Sequence, residues 1–263
     1  MCIVVTVNAK LLDSILPGNS LLVKTYRLVS SDPEVQALWY MSNIMAVSRL
    51  KYNDHGPVHA HIVAGAALYI YQLLRSRGVE STILRDGVVD REEYTWLIPL
   101  LGGLLHDIGN SVHRHMHEAI GSLLAKPIVD RVLEEIIDDV ATRVKIRQEV
   151  LHAIHCTSYD VDCLTVEAGC VKVADGLDMA EGRARVPYKL GGVSIHSVSA
   201  LSIRRVEITP SEKKPIRVNV YMSERAGVFQ VDEVLMPKLN TTPLKNLVEV
   251  YAIVDNTILK HYS

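Results

Sequence analysis

Between residues 33 and 179, apolar positions return every three or four residues, the spacing that lays one stripe along an α-helix. Asp32-Pro33-Glu34 opens the first run with an N-cap residue, a proline at the first helical position and an early acid, so a helix is expected from there to about Leu50. The polar turn Lys51-Tyr52-Asn53-Asp54-His55-Gly56-Pro57 separates it from a second helix. That helix has Val58, Ile62, Val63, Ala66, Ile70, Leu73 and Leu74 on its apolar face and Gly78 as its stop. Residues 81–89 read as a loop. Asp90 and Glu93 have the spacing of a capping box for a helix ending near His106. Further helices are expected over 116–124, 128–140, 146–155 and 165–179, with Pro127 interrupting between the first two.

The pattern changes after Gly182. Segments 193–197, 203–208 and 216–222 are β-branched and strand-like, with a turn over 209–215. Residues 229–239 read as a helix and 247–254 as another strand, and the β-branched run near the N-terminus, 2–7, is a further candidate strand. The chain is therefore expected to be mostly α, with a helical domain over 1–186 and a small α+β domain over 187–263.

Composition narrows the class. With 263 residues and 48% hydrophobic content the chain can bury a substantial core, which excludes global disorder. A formal charge of only −2 removes the electrostatic argument for a general nucleic-acid binder or an anionic-membrane binder. No apolar stretch is long enough to span a bilayer, and residues 2–7 lack the basic flank and long apolar core of a signal peptide. Cys2, Cys156, Cys163 and Cys170 form no CxxC pair and read as buried thiols in a reducing compartment, so a cytoplasmic location is expected.

The candidate chemistry lies in the helical part. His106-Asp107 ends an apolar helix, where the backbone can turn so that an imidazole and a carboxylate converge. His59 sits near the start of an earlier helix, and Asp175 ends the apolar run Val171–Ala174. A carboxylate buried there needs a partner, and a metal supplies one. Imidazole together with carboxylate suits a borderline-to-hard divalent ion.

These residues resemble the HD phosphohydrolase superfamily. The match consists of His59, the run Leu104-Leu105-His106-Asp107-Ile108-Gly109, and Asp175 in Val173-Ala174-Asp175, in the same order over about residues 33–186. With Tyr52–Gly56 before the first histidine, the chain looks most like archaeal-type members. It is also locally similar to HD-type diadenosine tetraphosphate hydrolases at His117–Gly121, Glu149–Ile154 and Glu181–Arg183. The resemblance implies an HD-type helical bundle with a divalent metal ion on His59, His106, Asp107 and Asp175. Mn, Co, Ni, Mg, Fe and Zn are not distinguished.

It further implies hydrolysis of a phosphate ester in a small soluble molecule, with a nucleotide as the favoured substrate. Asp107 is expected to steer a metal-activated water, and His117 and His152 to protonate the leaving oxygen or bind a second metal. Lys172 and Arg183 are expected to neutralise phosphate charge. Two positions depart from the pattern: Thr157 stands where a histidine is expected, and Asn110 where lysine often follows the His-Asp-Ile-Gly run. Both argue against a complete second metal site.

Competing readings are a regulatory module that keeps the scaffold without catalysis, and a di-iron oxygenase, which needs the second ligand set that Thr157 undercuts. His61, two residues from His59, faces elsewhere on the helix. His55 either lines the pocket mouth or shapes its turn, and Asp178 either supports the site or is a surface acid. Homo-oligomerisation is left open.

Overall fold

The computed structural model describes residues 4–180 and 199–263. The expected strand over 193–197, the expected domain division at 186 and the predicted phosphate-binding Arg183 all lie outside the described residues. A short strand β1 (Val5–Thr6) leads into helices α1 (Lys10–Ile15), α2 (Ser20–Ser30) and α3 (Pro33–Asn43). Asp32 caps α3 as expected, its side chain accepting from Glu34 N and Val35 N. The α-helical part ends at Asn43, short of Leu50. Ile44–Arg49 continues as π-type turns, with Leu50 N bonded to Met45 O at 3.0 Å. The wider turns and a left-handed Lys51 bring the following loop back over the end of the helix, where Asn43 Oδ1 accepts His55 N at 2.8 Å.

Helix α4 (Pro57–Ser76) runs through the core, and Gly78, at φ 77°, ends it as predicted. The segment read as a loop contains a helical turn, α5 (Thr82–Arg85), capped by Ser81. The expected capping box does not form. Glu93 pairs with Arg91 instead, a short α6 (Glu92–Thr95) comes first, and α7 (Leu97–Leu105) follows with no side-chain cap.

Helix α8 (His117–Glu134) is continuous through Pro127, contrary to the expected break. The proline lies on the exposed face, so its missing N–H frees a carbonyl that water can reach. Gly121, Ala125, Ile128, Val129 and Val132 form an unbroken buried stripe whose packing outweighs the loss. The helix then stops at Glu134 rather than Val140. Asp139 starts α9 (Val140–His155) by accepting Thr142 N at 2.7 Å, six residues before the expected start. Helix α10 (Val166–Leu177) is capped by Thr165.

Strands β2 (Ile203–Pro210), β3 (Ile216–Met222), β4 (Val248–Val254) and β5 (Thr257–Tyr262) complete a five-stranded sheet in the order β1-β2-β3-β4-β5. All pairs are antiparallel except β3–β4. A parallel pair needs a long crossover, and residues 223–247 supply one. The expected helix over 229–239 is interrupted there. It comprises Val228–Gln230, π-type turns over Val231–Leu235, and α11 (Met236–Asn240), with Pro237 unable to donate to the turn before it. Strand β5 was not anticipated, although Asp255-Asn256, both at positive φ, is a hairpin signature.

The fold is thus mostly helical, with a small sheet to which the N-terminal β1 contributes an edge. Alternate residues of β3 (Ile216, Val218, Val220 and Met222) are buried and join the same core as α4, α7 and α10. Among the described residues no helix is long and apolar enough to cross a membrane.

Candidate metal centre

Two close approaches assemble the site. A Cβ on Gly103 would lie 2.5 Å from Ala64 Cα, so only glycine lets α7 press against α4 and bring His106 up to His59. A Cβ on Gly109 would lie 1.9 Å from His117 O, so glycine also allows the turn after Asp107 to meet the start of α8. The C-terminal carbonyls of α7 are met by α3, with Trp39 Nε1 donating to Leu104 O at 2.9 Å and Ser42 Oγ to Asp107 O at 3.2 Å.

His59 Nε2 lies 3.1 Å from His106 Nε2, 3.2 Å from Asp107 Oδ2 and 3.2 Å from Asp175 Oδ1. His106 Nε2 lies 3.5 Å from Asp107 Oδ2 and 3.7 Å from Asp175 Oδ1. The other nitrogen of each ring is engaged. His59 Nδ1 donates to Asp178 Oδ2 at 2.6 Å and His106 Nδ1 to Gly103 O at 2.9 Å. Both Nε2 lone pairs therefore face the same point. Two imidazole lone pairs 3.1 Å apart beside two carboxylate oxygens repel unless a cation sits between them. Ligands about 2.1 Å from a divalent ion stand roughly 3.0–3.4 Å apart, close to the spacing observed. The donor set fits a divalent metal ion, and two overlapping triads that share His59, His59–His106–Asp175 and His55–His59–Asp107, are candidates to hold it.

Asp107 is the hub. Oδ2 receives His55 Nδ1 at 2.6 Å, and Oδ1 receives Asn110 Nδ2 at 2.9 Å and lies 3.3 Å from His117 Nε2. Burial works against its negative charge. The electrostatic influence of the neighbouring His55 and His106 rings and hydrogen bonds from His117 and His55 overcome that and hold the carboxyl well below the usual carboxylate range. Asp175 is likewise held low: burial opposes its charge, and the Lys238 ammonium leads the groups that outweigh it. Lys238 Nζ donates to Asp175 Oδ2 at 2.5 Å and to Thr157 O at 3.0 Å, which leaves Asp175 Oδ1 to face the histidines.

A cavity of about 160 Å³ opens beside the cluster, lined among others by His55, Asp107, Arg114, His117, Asp175 and Lys238. His117 Nδ1 faces Arg114 O at 3.0 Å and Glu118 Oε2 at 3.0 Å. Burial lowers its affinity for a proton, but the hydrogen bonds to Asp107 and Glu118 prevail and raise it.

The fold thus brings His59, His106, Asp107 and Asp175 together, and Asp107, Asp175 and His117 line the adjoining cavity. Two other sequence candidates belong elsewhere. His152 Nε2 accepts Leu164 N at 3.1 Å on the far part of α9, so it organises a loop rather than a leaving group. Lys172 is buried and donates to Ser158 O and Val161 O, both at 2.7 Å; those carbonyls consume the charge that was expected to meet phosphate. Three participants were missed as such. Asp178 and His55 were each left between two readings, and Lys238 was not considered. The residue-level signal for Asp178 was its place one turn beyond Asp175. His61 turns away from the cluster, to Tyr26 OH at 3.0 Å and Pro57 O. Cys156, Cys163 and Cys170 are buried free thiols.

Residues 97–180 match the HD domain family model. The chain is 44% identical over 230 residues to an uncharacterized protein of Methanocaldococcus jannaschii, covering 88% of each chain. No solved structure matches the chain.

Proposed function

Taking as premise that this chain carries an HD domain over residues 97–180, we propose that it is a metal-dependent phosphohydrolase acting on a small soluble phosphate ester, with a nucleotide as the favoured substrate. The observation that carries this reading is the convergence of His59 Nε2 and His106 Nε2 with one oxygen each of Asp107 and Asp175. These four residues are the proposed metal ligands, and the overlapping triad that includes His55 is the other candidate place for the ion. A divalent ion held there supplies a Lewis acid for a phosphoryl oxygen and acidifies a bound water to near-neutral pKa.

The remaining roles belong to the chain. Asp178 fixes the His59 tautomer, Asn110 and His55 orient Asp107, and Lys238 holds the far oxygen of Asp175. His117 Nε2, between Asp107 Oδ1 and the Arg114 guanidinium, is a point at which a proton can be held and passed to the leaving oxygen. The division near residue 186 remains part of the proposal, with the C-terminal unit completing the cavity through Lys238.

The local likeness to diadenosine tetraphosphate hydrolases adds little about substrate. Of its two described segments, the first reaches the cavity through His117-Glu118 and Glu149–Ile154 does not line it; Glu181–Arg183 lies outside the described residues. The reading is tested by metal analysis of protein purified without chelator, together with phosphate release across a nucleotide panel. Wild type is expected to carry a divalent metal and release phosphate, and Asp107→Ala to do neither. Metal content without turnover of any ester would favour a regulatory module instead.

A further inference from the structure

Among the described residues Arg114 and Lys238 are the cationic side chains lining the cavity, and they are committed differently. The Lys238 ammonium donates to Asp175 and Thr157 and packs over the Tyr159 ring at 4.7 Å, so its protons already have partners. Arg114 Nη1 donates to Asn110 Oδ1 at 3.3 Å and lies 3.1 Å from His117 Nε2, the nitrogen that also faces Asp107 Oδ1. Among the described residues Arg114 has no carboxylate within ion-pair distance, and its Nε–Nη2 edge makes no hydrogen bond. Glu118 feels its charge without touching it.

The Asn110 amide thus holds a half-buried guanidinium at the cavity wall, beside the His117 ring, while its planar edge stays available. That edge matches two oxygens of a phosphoryl group in a way a lysine cannot. The cavity's acids, among them Asp107, Asp175 and Asp178, would repel an anion unless a bound cation offsets them, so Arg114 and the proposed metal would work on the same anion from two sides.

Resting on the hydrolase reading above, we infer that Arg114 grips two non-bridging oxygens of the substrate phosphoryl group while a third faces the His59–His106–Asp107–Asp175 cluster. Three non-bridging oxygens occur on a terminal monoester and not on a diester, so the preferred substrate is a phosphomonoester. In that reaction water oxygen bonds to phosphorus and the ester P–O bond breaks. The leaving oxygen gains a proton, and one ester dianion plus one water gives an alcohol and hydrogen phosphate.

The test uses the full chain loaded with Mn²⁺, titrated calorimetrically with inorganic phosphate, for wild type, Arg114→Met and Arg114→Lys. Mn²⁺ affinity is measured by electron paramagnetic resonance on the same samples. Phosphate affinity is expected to fall at least about tenfold in Arg114→Met and less in Arg114→Lys, with Mn²⁺ affinity within twofold of wild type. Wild type is also expected to prefer p-nitrophenyl phosphate to its bis-ester, a preference that shrinks in Arg114→Met.

Phosphate affinity unchanged in Arg114→Met, or equal turnover of both esters by wild type, overturns the inference. So does a parallel loss of Mn²⁺ affinity, which would make Arg114 a support for His117 and Asn110. If wild type binds none of Mn²⁺, Co²⁺, Ni²⁺, Mg²⁺, Fe²⁺ and Zn²⁺, the hydrolase reading fails by itself. Phosphate binding by the metal-free protein that still depends on Arg114 would then keep the anion anchor, and its absence would remove it.

Discussion

Helix α10 carries two acids with opposite fates, one partly and one fully buried. Near its end, Asp175 is surrounded by the Lys238 ammonium and the His59 and His106 rings, and stays charged against the cost of burial. Near its start, Glu167 is fully buried, with Ser81 Oγ (2.5 Å) and Tyr71 OH (3.3 Å) both donating to Oε1. Among the described residues its Oε2 has no partner. Burial dominates there and pushes the carboxyl up toward its neutral form. Burial alone therefore does not decide whether an acid in this core is ionic; the partners around it do. One end of α10 is equipped to offer charge to a cation, and the other is a polar contact between α10, α4 and the α5 turn in which burial favours the protonated carboxyl.

The most direct way to break this contrast is to remove the hub of the charged end. Asp107→Ala is expected to lower metal-dependent phosphate release by about a thousandfold or more, because ligand and water-steering group go together. Lys238→Met comes next. It leaves Asp175 as a buried charge without its strongest partner and is expected to cost about 3–5 kcal/mol of stability in metal-free protein, read by urea unfolding. Added Mn²⁺ should recover part of that loss by binding the folded state. Unchanged stability in metal-free protein would mean that the histidines alone sustain the charge.

Asp178→Asn should be milder in stability but weaken metal affinity by about 10–100-fold, since an amide no longer fixes the His59 tautomer. Affinity equal to wild type would place the orienting role elsewhere.

The smallest effect is expected at the other end of the helix, from Glu167→Gln. A carboxyl whose folded pKa is raised contributes stability fully below its ordinary value of 4.5, and that contribution is lost as pH rises through the higher folded value. Wild type should therefore lose melting temperature between mildly acidic and neutral pH relative to Glu167→Gln, whose profile should be flatter. Glu149, itself pushed up by its own burial and then by the Glu167 charge, would relax slightly in the same direction. Identical pH profiles would show that Glu167 stays ionised and would remove the contrast.

The difference between these acids was only half visible in the chain. Asp175 stands in a pattern with His59 and His106-Asp107, and the pattern could be read because each residue sits at a fixed place on its own helix. Glu167 has a similar apolar setting and no pattern, so nothing marked it as buried. The charge that distinguishes them comes from Lys238, 63 residues beyond Asp175 and in a segment interrupted by π-type turns. No local spacing points from one to the other. Lys172 shows the converse. It is three residues before Asp175 and looked well placed for phosphate, but the 156–163 turn folded over it and took its protons. His152 was misjudged for the same reason, since a helical histidine looks alike whether it faces a cavity or a loop backbone.

The sequence by itself determined the helical class, the starts of α3, α4, α8 and α10, strands β2, β3 and β4, and the identity of four residues whose side chains can bind a metal. These follow from periodicity, capping and residue chemistry, which act over a few neighbours. Only the tertiary structure decided which of the charged groups meet. It turned His55 and Lys238 inward, gave Asp178 to His59, left Arg114 with an open edge, and sent Lys172 and His152 to other tasks. The physical reason is that a long-range ion pair or hydrogen bond depends on close packing between helices, as at Gly103 and Gly109, and packing is a property of the assembled chain rather than of any segment.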